Sequence, residues 1–346
     1  MPQGMEDDDP MRTNLVRALA AVLTIGLLAG CGGRPQDAYQ KEPGTPAGGE
    51  PSAQVQKLKI GQIPTIDGLP FWVAESKDYY RQQGVEVELV RFNSAAERDA
   101  ALASGQIDGT LTDIMGAVTL FDNGTPVQIT SINLGATIEE GPFAIVSAPG
   151  SGITEPEQLK GVEIAIATNT IIHYVTEKLL LENGFAPEEI QLISIPQIPL
   201  RFENLITGNV KAATLPEPLL SLAVHKGGTV VLTDAEAKRN YSQSVIVFRE
   251  EAVKEKADAI QRFFVAYNLA VADIDREPEA FKDLLATEAN LPPEIKDSWQ
   301  VITFSPAQAP GRAEVEEVVD WLLEKGYISK KVSYDEIVNT TLYPKG

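Results

Sequence analysis

Polar residues gather in this sequence where one regular element gives way to the next. One group is Thr65, Asp67, Asn93, Ser94 and Asp113; a second is Thr168, Asn169, Thr170, Arg201 and Glu217. Hydroxyls, amides, carboxylates and a guanidinium together can donate and accept hydrogen bonds around a small solute without breaking any covalent bond of it. Groups for harder chemistry are scarce. The chain holds one cysteine, Cys31, and two histidines, His173 and His225, which both read as surface residues. There is no Gly-x-Ser-x-Gly elbow, no Gly-x-Gly-x-x-Gly, no phosphate-binding loop and no Asp-rich calcium loop, so no metal or cofactor is expected. Binding, not catalysis, is the expected task.

Each candidate also has a plainer role. Thr168, Asn169, Thr170 and Asp113 stand at helix starts, where such side chains cap free backbone N–H groups. Arg201 can pair with an anionic solute or with Glu203, and Glu217 can be a solvated loop carboxylate. Donors at helix starts and Arg201 favour an oxyanion, whereas Asp113, Glu217 and an aromatic ring suit an amino-bearing heterocycle.

The elements that must position these residues follow from hydrophobic period and turn chemistry. Residues 58–60 form a strand, 64–68 a polar loop and 69–83 a helix closed by Gly84, with a further strand over 85–90. On that helix Leu69, Trp72, Val73 and Tyr80 share one stripe, and Phe71 points the other way. Phe71 is therefore read as facing the ligand; Leu69, at the helix mouth, joins the candidate lining as well as the stripe. Two more units follow, with helices at 95–104 and from Asp113 to Phe121 and strands at 107–112 and 127–132. The pattern restarts with strands at 143–147 and 162–167, a helix after Thr170, a strand at 190–195, a helix at 200–207 and a strand at 210–215. Strands alternating with short helices argue a parallel sheet flanked by helices, with ligands beyond the carboxyl ends of the strands. Two such lobes follow one another, each with a polar rim.

A net charge of -20 disfavours nucleic acid and anionic lipid as partners of the folded part. Ahead of it, Arg12 and Arg17 precede the apolar run 19–28, too short to span a bilayer, and the run ends in Leu28-Ala29-Gly30-Cys31. This resembles a bacterial lipobox, which implies a signal peptide over 1–30, a start at Met11 and acylation, with palmitate among the chains, at Cys31. Residues 31–56, rich in Gly, Pro, Ala and Gln, then read as a flexible leash.

The folded part is similar to the solute-binding proteins of bacterial ABC importers, in the branch that includes nitrate, taurine, alkanesulfonate and thiamine-pyrimidine binders. The likeness is carried by Leu69-Pro70-Phe71-Trp72-Val73-Ala74 with Gly84-Val85 behind it, by residues 101–108 (ALASGQID), and by Leu215-Pro216-Glu217-Pro218 after Gly208. It implies an α/β, two-lobed periplasmic-binding-protein fold of type II joined by two hinge strands. Lobe 1 comprises 57–141 and 243–346, and lobe 2 comprises 142–242. It also implies a monomer that closes on a small-molecule solute in the cleft, outside the cytoplasm, and delivers it to a permease with its ATPase. Rival readings are a sensory or surface-interaction lipoprotein and a pyrimidine-biosynthesis enzyme. The latter resembles this branch but depends on a cysteine-rich motif, which a chain with Cys31 alone lacks.

Overall fold

The computed structural model describes residues 56–344. The expected signal peptide, Cys31 and nearly all of the leash lie outside the described residues. Among the described residues no helix is long and apolar enough to cross a membrane.

Among the described residues ten strands form two five-stranded sheets. The first lobe holds β1 (Lys57–Gln62), β2 (Glu86–Arg91), β3 (Gly109–Asp113), β4 (Val127–Leu134) and, much later in the chain, β10 (Ser244–Arg249), in the order β2-β1-β3-β10-β4. The second holds β5 (Phe143–Ser147), β6 (Glu163–Ile166), β7 (Gln191–Ser194), β8 (Ala212–Pro216) and β9 (Thr229–Thr233), in the order β7-β6-β8-β5-β9. The sheets are mixed, not parallel throughout. β1 pairs in parallel with β2 and β3, and β6 with β7 and β8, whereas β10 and β5 run antiparallel to both of their neighbours. The chain leaves β4 and β9 at the rim and crosses to the other lobe. A strand entering from that side must begin where its parallel neighbours end.

Helices α1 (Leu69–Ser76), α2 (Tyr79–Gln82), α3 (Ala95–Ala103) and α4 (Ile114–Asp122) serve the first lobe, and α5 (Ile171–Glu182), α6 (Ile198–Ile206) and α7 (Leu219–His225) the second. After β10 come α8 (Glu250–Glu255), the long α9 (Ala257–Arg276), α10 (Lys282–Glu288), α11 (Arg312–Glu324) and α12 (Tyr334–Ile337). The expected helix over 69–83 is two helices, broken where Asp78 takes a left-handed conformation (φ 61°).

Helix α1 is buried on every side, from Leu69 to Ala74. It lies under α9, and Phe71 meets Phe263 and Tyr267 edge to face, with ring centroids 5.6 and 6.1 Å apart. Burying such a ring contributes on the order of 2–3 kcal/mol, and each aromatic contact about 1 kcal/mol more. The expectation that Phe71 faces the ligand is therefore corrected: where a helix is covered all round, its faces do not separate core from cleft. His173 is corrected too. It is buried on α5 against Trp321 of α11, with ring centroids 5.1 Å apart.

A repeated unit shapes both rims. Arg98 to Gly105 in the first lobe and Arg201 to Gly208 in the second are each the body of a helix, a Gly stop at positive φ (76° and 74°) and the entry to the third parallel strand. The left-handed turn there favours glycine.

Candidate functional site

A cavity of about 150 Å³ lies between the lobes at the carboxyl ends of the parallel strands. The first lobe contributes the loop after β1 (Thr65, Asp67), the end of β3 (Thr112, Asp113) and Arg98 of α3. From the second lobe come Phe143, Ile171, Pro216 and Glu217, and Ser242 and Ser244 stand where the chain returns to the first. Apolar side chains make the walls, and the polar groups project between them.

Local chemistry holds each polar group. Asp113 caps α4, its Oδ1 accepting from the Gly116 N–H at 2.8 Å. Asp67 Oδ1 accepts from Thr65 Oγ1 at 2.6 Å, and Asn133 Nδ2 fixes the loop by donating to the Asp67 carbonyl at 2.8 Å. Glu217 accepts from Ser221 Oγ at 2.8 Å and from the Ser221 N–H at 3.2 Å. Its Oε2 also accepts from Trp299 Nε1 at 3.3 Å, a contact from the segment that follows α10. Burial raises all three carboxyls above the usual carboxylate range, against the pull of these hydrogen bonds and, for Asp67 and Asp113, of the Arg98 charge.

Arg98, absent from the candidates, is among the described residues the one cationic residue lining the cavity. Its signal was present: on α3 it falls in phase with Ala101 and Leu102, so a charged residue occupies the apolar face. It is nearly fully buried and held by Asp99, the Leu111 carbonyl and Thr112 Oγ1.

Several candidates stand elsewhere. Leu69 and Phe71 are core. Asn93 is exposed, and Ser94 accepts from the Glu97 N–H at 3.2 Å as the cap of α3; neither lines the cavity. Thr168 and Asn169 are exposed, and Thr170 caps α5, accepting from the Ile172 N–H at 3.2 Å while donating to the Ala167 carbonyl at 2.7 Å. That loop reaches the cavity only through its neighbour Ile171. Arg201 is buried completely rather than rim-facing: Nε donates to the Thr214 carbonyl at 2.9 Å and Nη1 to the Ile195 carbonyl at 2.7 Å. Burial lowers its pKa to about 10.

Two short turns border the crossings between the lobes, 138–140 and 234–236. Buried Glu140 accepts from the Gly135 and Ala136 N–H groups at 2.7 and 2.8 Å and from Ser305 Oγ at 2.8 Å. Buried Asp234 accepts from the Phe143 N–H at 3.0 Å, and desolvation pushes its pKa up to about 7.

Residues 51–287, well over half of the chain, match the model of the NMT1-like family. The chain belongs to the NMT1-like family. A putative aliphatic sulfonates-binding protein of Bacillus subtilis (strain 168) is 23% identical to this NMT1-like chain over 339 residues, 94% of the chain and 95% of the relative. Among solved structures, the periplasmic aliphatic sulphonate binding protein SsuA from Escherichia coli superposes with a TM-score of 0.69 at 21% identity, over 81% of this chain and 96% of its own. The periplasmic nitrate-binding protein NrtA from Synechocystis PCC 6803 gives 0.64 at 17% identity, over 83% and 86%. At these identities the two structures establish the shared fold: two helix-flanked lobes of the periplasmic binding protein type.

Proposed function

We propose that this NMT1-like chain is the extracytoplasmic solute-binding component of an ABC importer. It captures a small solute between its lobes and delivers it to a permease and its ATPase. The observation that carries this reading is the cavity's composition from both lobes and from the returning chain. A solute touching Asp67 and Asp113 on one side and Phe143, Ile171 and Glu217 on the other binds the closed arrangement better than an open one. It therefore shifts the population towards closure by that difference in affinity. The binding proteins of sulfonate and nitrate that share the fold support the same reading. No bond of the solute is broken.

On this reading the chain works as a monomer on the outer face of the membrane, and the lipobox-like run supports a tether through acylated Cys31 and the 31–56 leash. A thermal-shift screen of the purified chain against small organic and inorganic solutes tests the binding role. A solute at 100 times its dissociation constant should add about 2.7 kcal/mol of stability. A screen in which no small solute stabilises the chain would count against it.

A further inference from the structure

We infer that the solute is a compact organic amine or amidine, bound as its cation with an apolar body, rather than a sulfonate or nitrate oxyanion. This rests on the interlobe cavity being the solute site. Three carboxylates enter the cavity from three separate segments: Asp67 after β1, Asp113 at the end of β3 and Glu217 after β8. Against them stands, among the described residues, one cation, Arg98, whose charge is already matched by Asp99, outside the cavity lining, with Nη2 at 2.8 Å and Nε at 2.9 Å from its Oδ1. Arg98 Nη1 donates to the Leu111 carbonyl and Nη2 to Thr112 Oγ1, each at 3.0 Å. These hydrogen bonds take three of the five guanidinium N–H groups, and the charge that would draw an oxyanion is already neutralised by Asp99.

One backbone N–H at the start of each of α4 and α7 is also taken. Free N–H groups at helix starts make good anion sites. In this cavity the starts of α4 and α7 are occupied by the protein's own acids, Asp113 on the Gly116 N–H and Glu217 on the Ser221 N–H. An incoming sulfonate would meet carboxylates where it needs donors. An ammonium or amidinium meets acceptors there, with Ile63, Ile66, Leu111 and Phe143 to cover its apolar body. The chain's overall excess of acid, 49 Asp and Glu against 29 Lys and Arg, draws cations towards the cleft over the same distances at which it repels anions.

Proton linkage separates the two classes. Burial raises the pKa of Asp67, Asp113 and Glu217, so each keeps its proton to a higher pH than an exposed carboxyl does. A cation that ionises them releases protons on binding, whereas an anion drives proton uptake. The test is calorimetric titration of the full chain at about pH 5.5 with benzamidine, benzylamine, benzenesulfonate and nitrate, each in two buffers of unlike ionisation enthalpy. Benzamidine or benzylamine should bind with proton release, and Asp113→Asn, which keeps a good helix cap, should weaken it roughly ten- to a hundredfold. Glu217→Gln gives a second reading from the other lobe. Binding of benzenesulfonate or nitrate with proton uptake, retained or tightened in Asp113→Asn, would overturn the cation and leave the solute-binding role standing. If neither class binds, across a panel widened to aliphatic amines and sulfonates, both fail.

Discussion

Arg98 in the first lobe and Arg201 in the second occupy the same place in the fold. Each is the fourth residue of the helix after its lobe's outer parallel strand, and each donates to the carbonyl thirteen residues further on, Leu111 or Thr214. Their neighbours differ. Arg98 is followed by Asp99, which pairs with it at the edge of the cavity; Arg201 is followed by Phe202, itself buried, and its Nη2 finds no partner among the described residues. The same lever therefore stitches helix to strand in both lobes, but of the two only Arg98 lines the cavity. The rim loops differ likewise. The first lobe brings Thr65 and Asp67 into the cavity, whereas the second keeps Thr168 and Asn169 in solvent and offers Ile171. The first lobe supplies most of the cavity's polar groups, the second adds Glu217, and apolar residues line the cavity from both.

Substitutions in the two lobes should therefore differ in effect. The largest effect is expected of Phe71→Ala, on the first-lobe side: about 3–5 kcal/mol of folding stability by chemical denaturation, with solute affinity unchanged in the folded fraction. A loss of affinity without a loss of stability would return Phe71 to the cleft. Arg201→Ala should cost about 2–4 kcal/mol, because two carbonyls lose their donor inside the protein. Arg98→Ala should cost only about 1–2 kcal/mol, since solvent in the cavity can reach the freed groups, but it should disturb the site by releasing Thr112. Equal costs at the two positions would remove the difference drawn between the lobes.

Asp234, where the second lobe's chain turns back towards the first, gives a pH test. Its folded pKa, about 7, lies above the ordinary value of 3.8, so the folded state holds its proton more tightly than the unfolded chain. Stability from this group is fully present below pH 3.8 and falls as pH rises through about 7. Asp234→Asn should flatten that fall in denaturation curves taken across the range; an unchanged slope would assign it to other groups. The smallest effect is expected of Trp299→Phe, which removes the Nε1 bond to Glu217. It should weaken solute affinity by about 0.5–1.5 kcal/mol in calorimetry, with about 1 kcal/mol of folding stability lost to the smaller buried ring.

Much of the frame was legible in the sequence because strand ends and Gly stops are local signals. The carboxylates Asp67, Asp113 and Glu217 could be placed near the cleft from turn chemistry alone. Phe71 could not be placed, because α9, which covers it, lies nearly 200 residues further on, and a helix covered all round has no free face. Arg201 read as a rim residue because a guanidinium buried on backbone carbonyls leaves no pattern in its own segment. Arg98 did leave one, a charge in phase with Ala101 and Leu102, and the internal repeat with Arg201 reinforces it. The apolar wall at Phe143 and Ile171 depends on how the lobes face each other, which no local window reports.

Capture of a solute as proposed requires the two lobes to close on it. The most direct test is the distance between spin labels on the two rims, at Ala96→Cys and Gln197→Cys, both exposed, in the chain carrying Cys31→Ser. With saturating benzamidine the distance distribution should narrow and shift to shorter values, and Asp113→Asn should abolish the shift at the same concentration. A distribution that stays unchanged while calorimetry records binding would show a solute held without closure and would contradict the account.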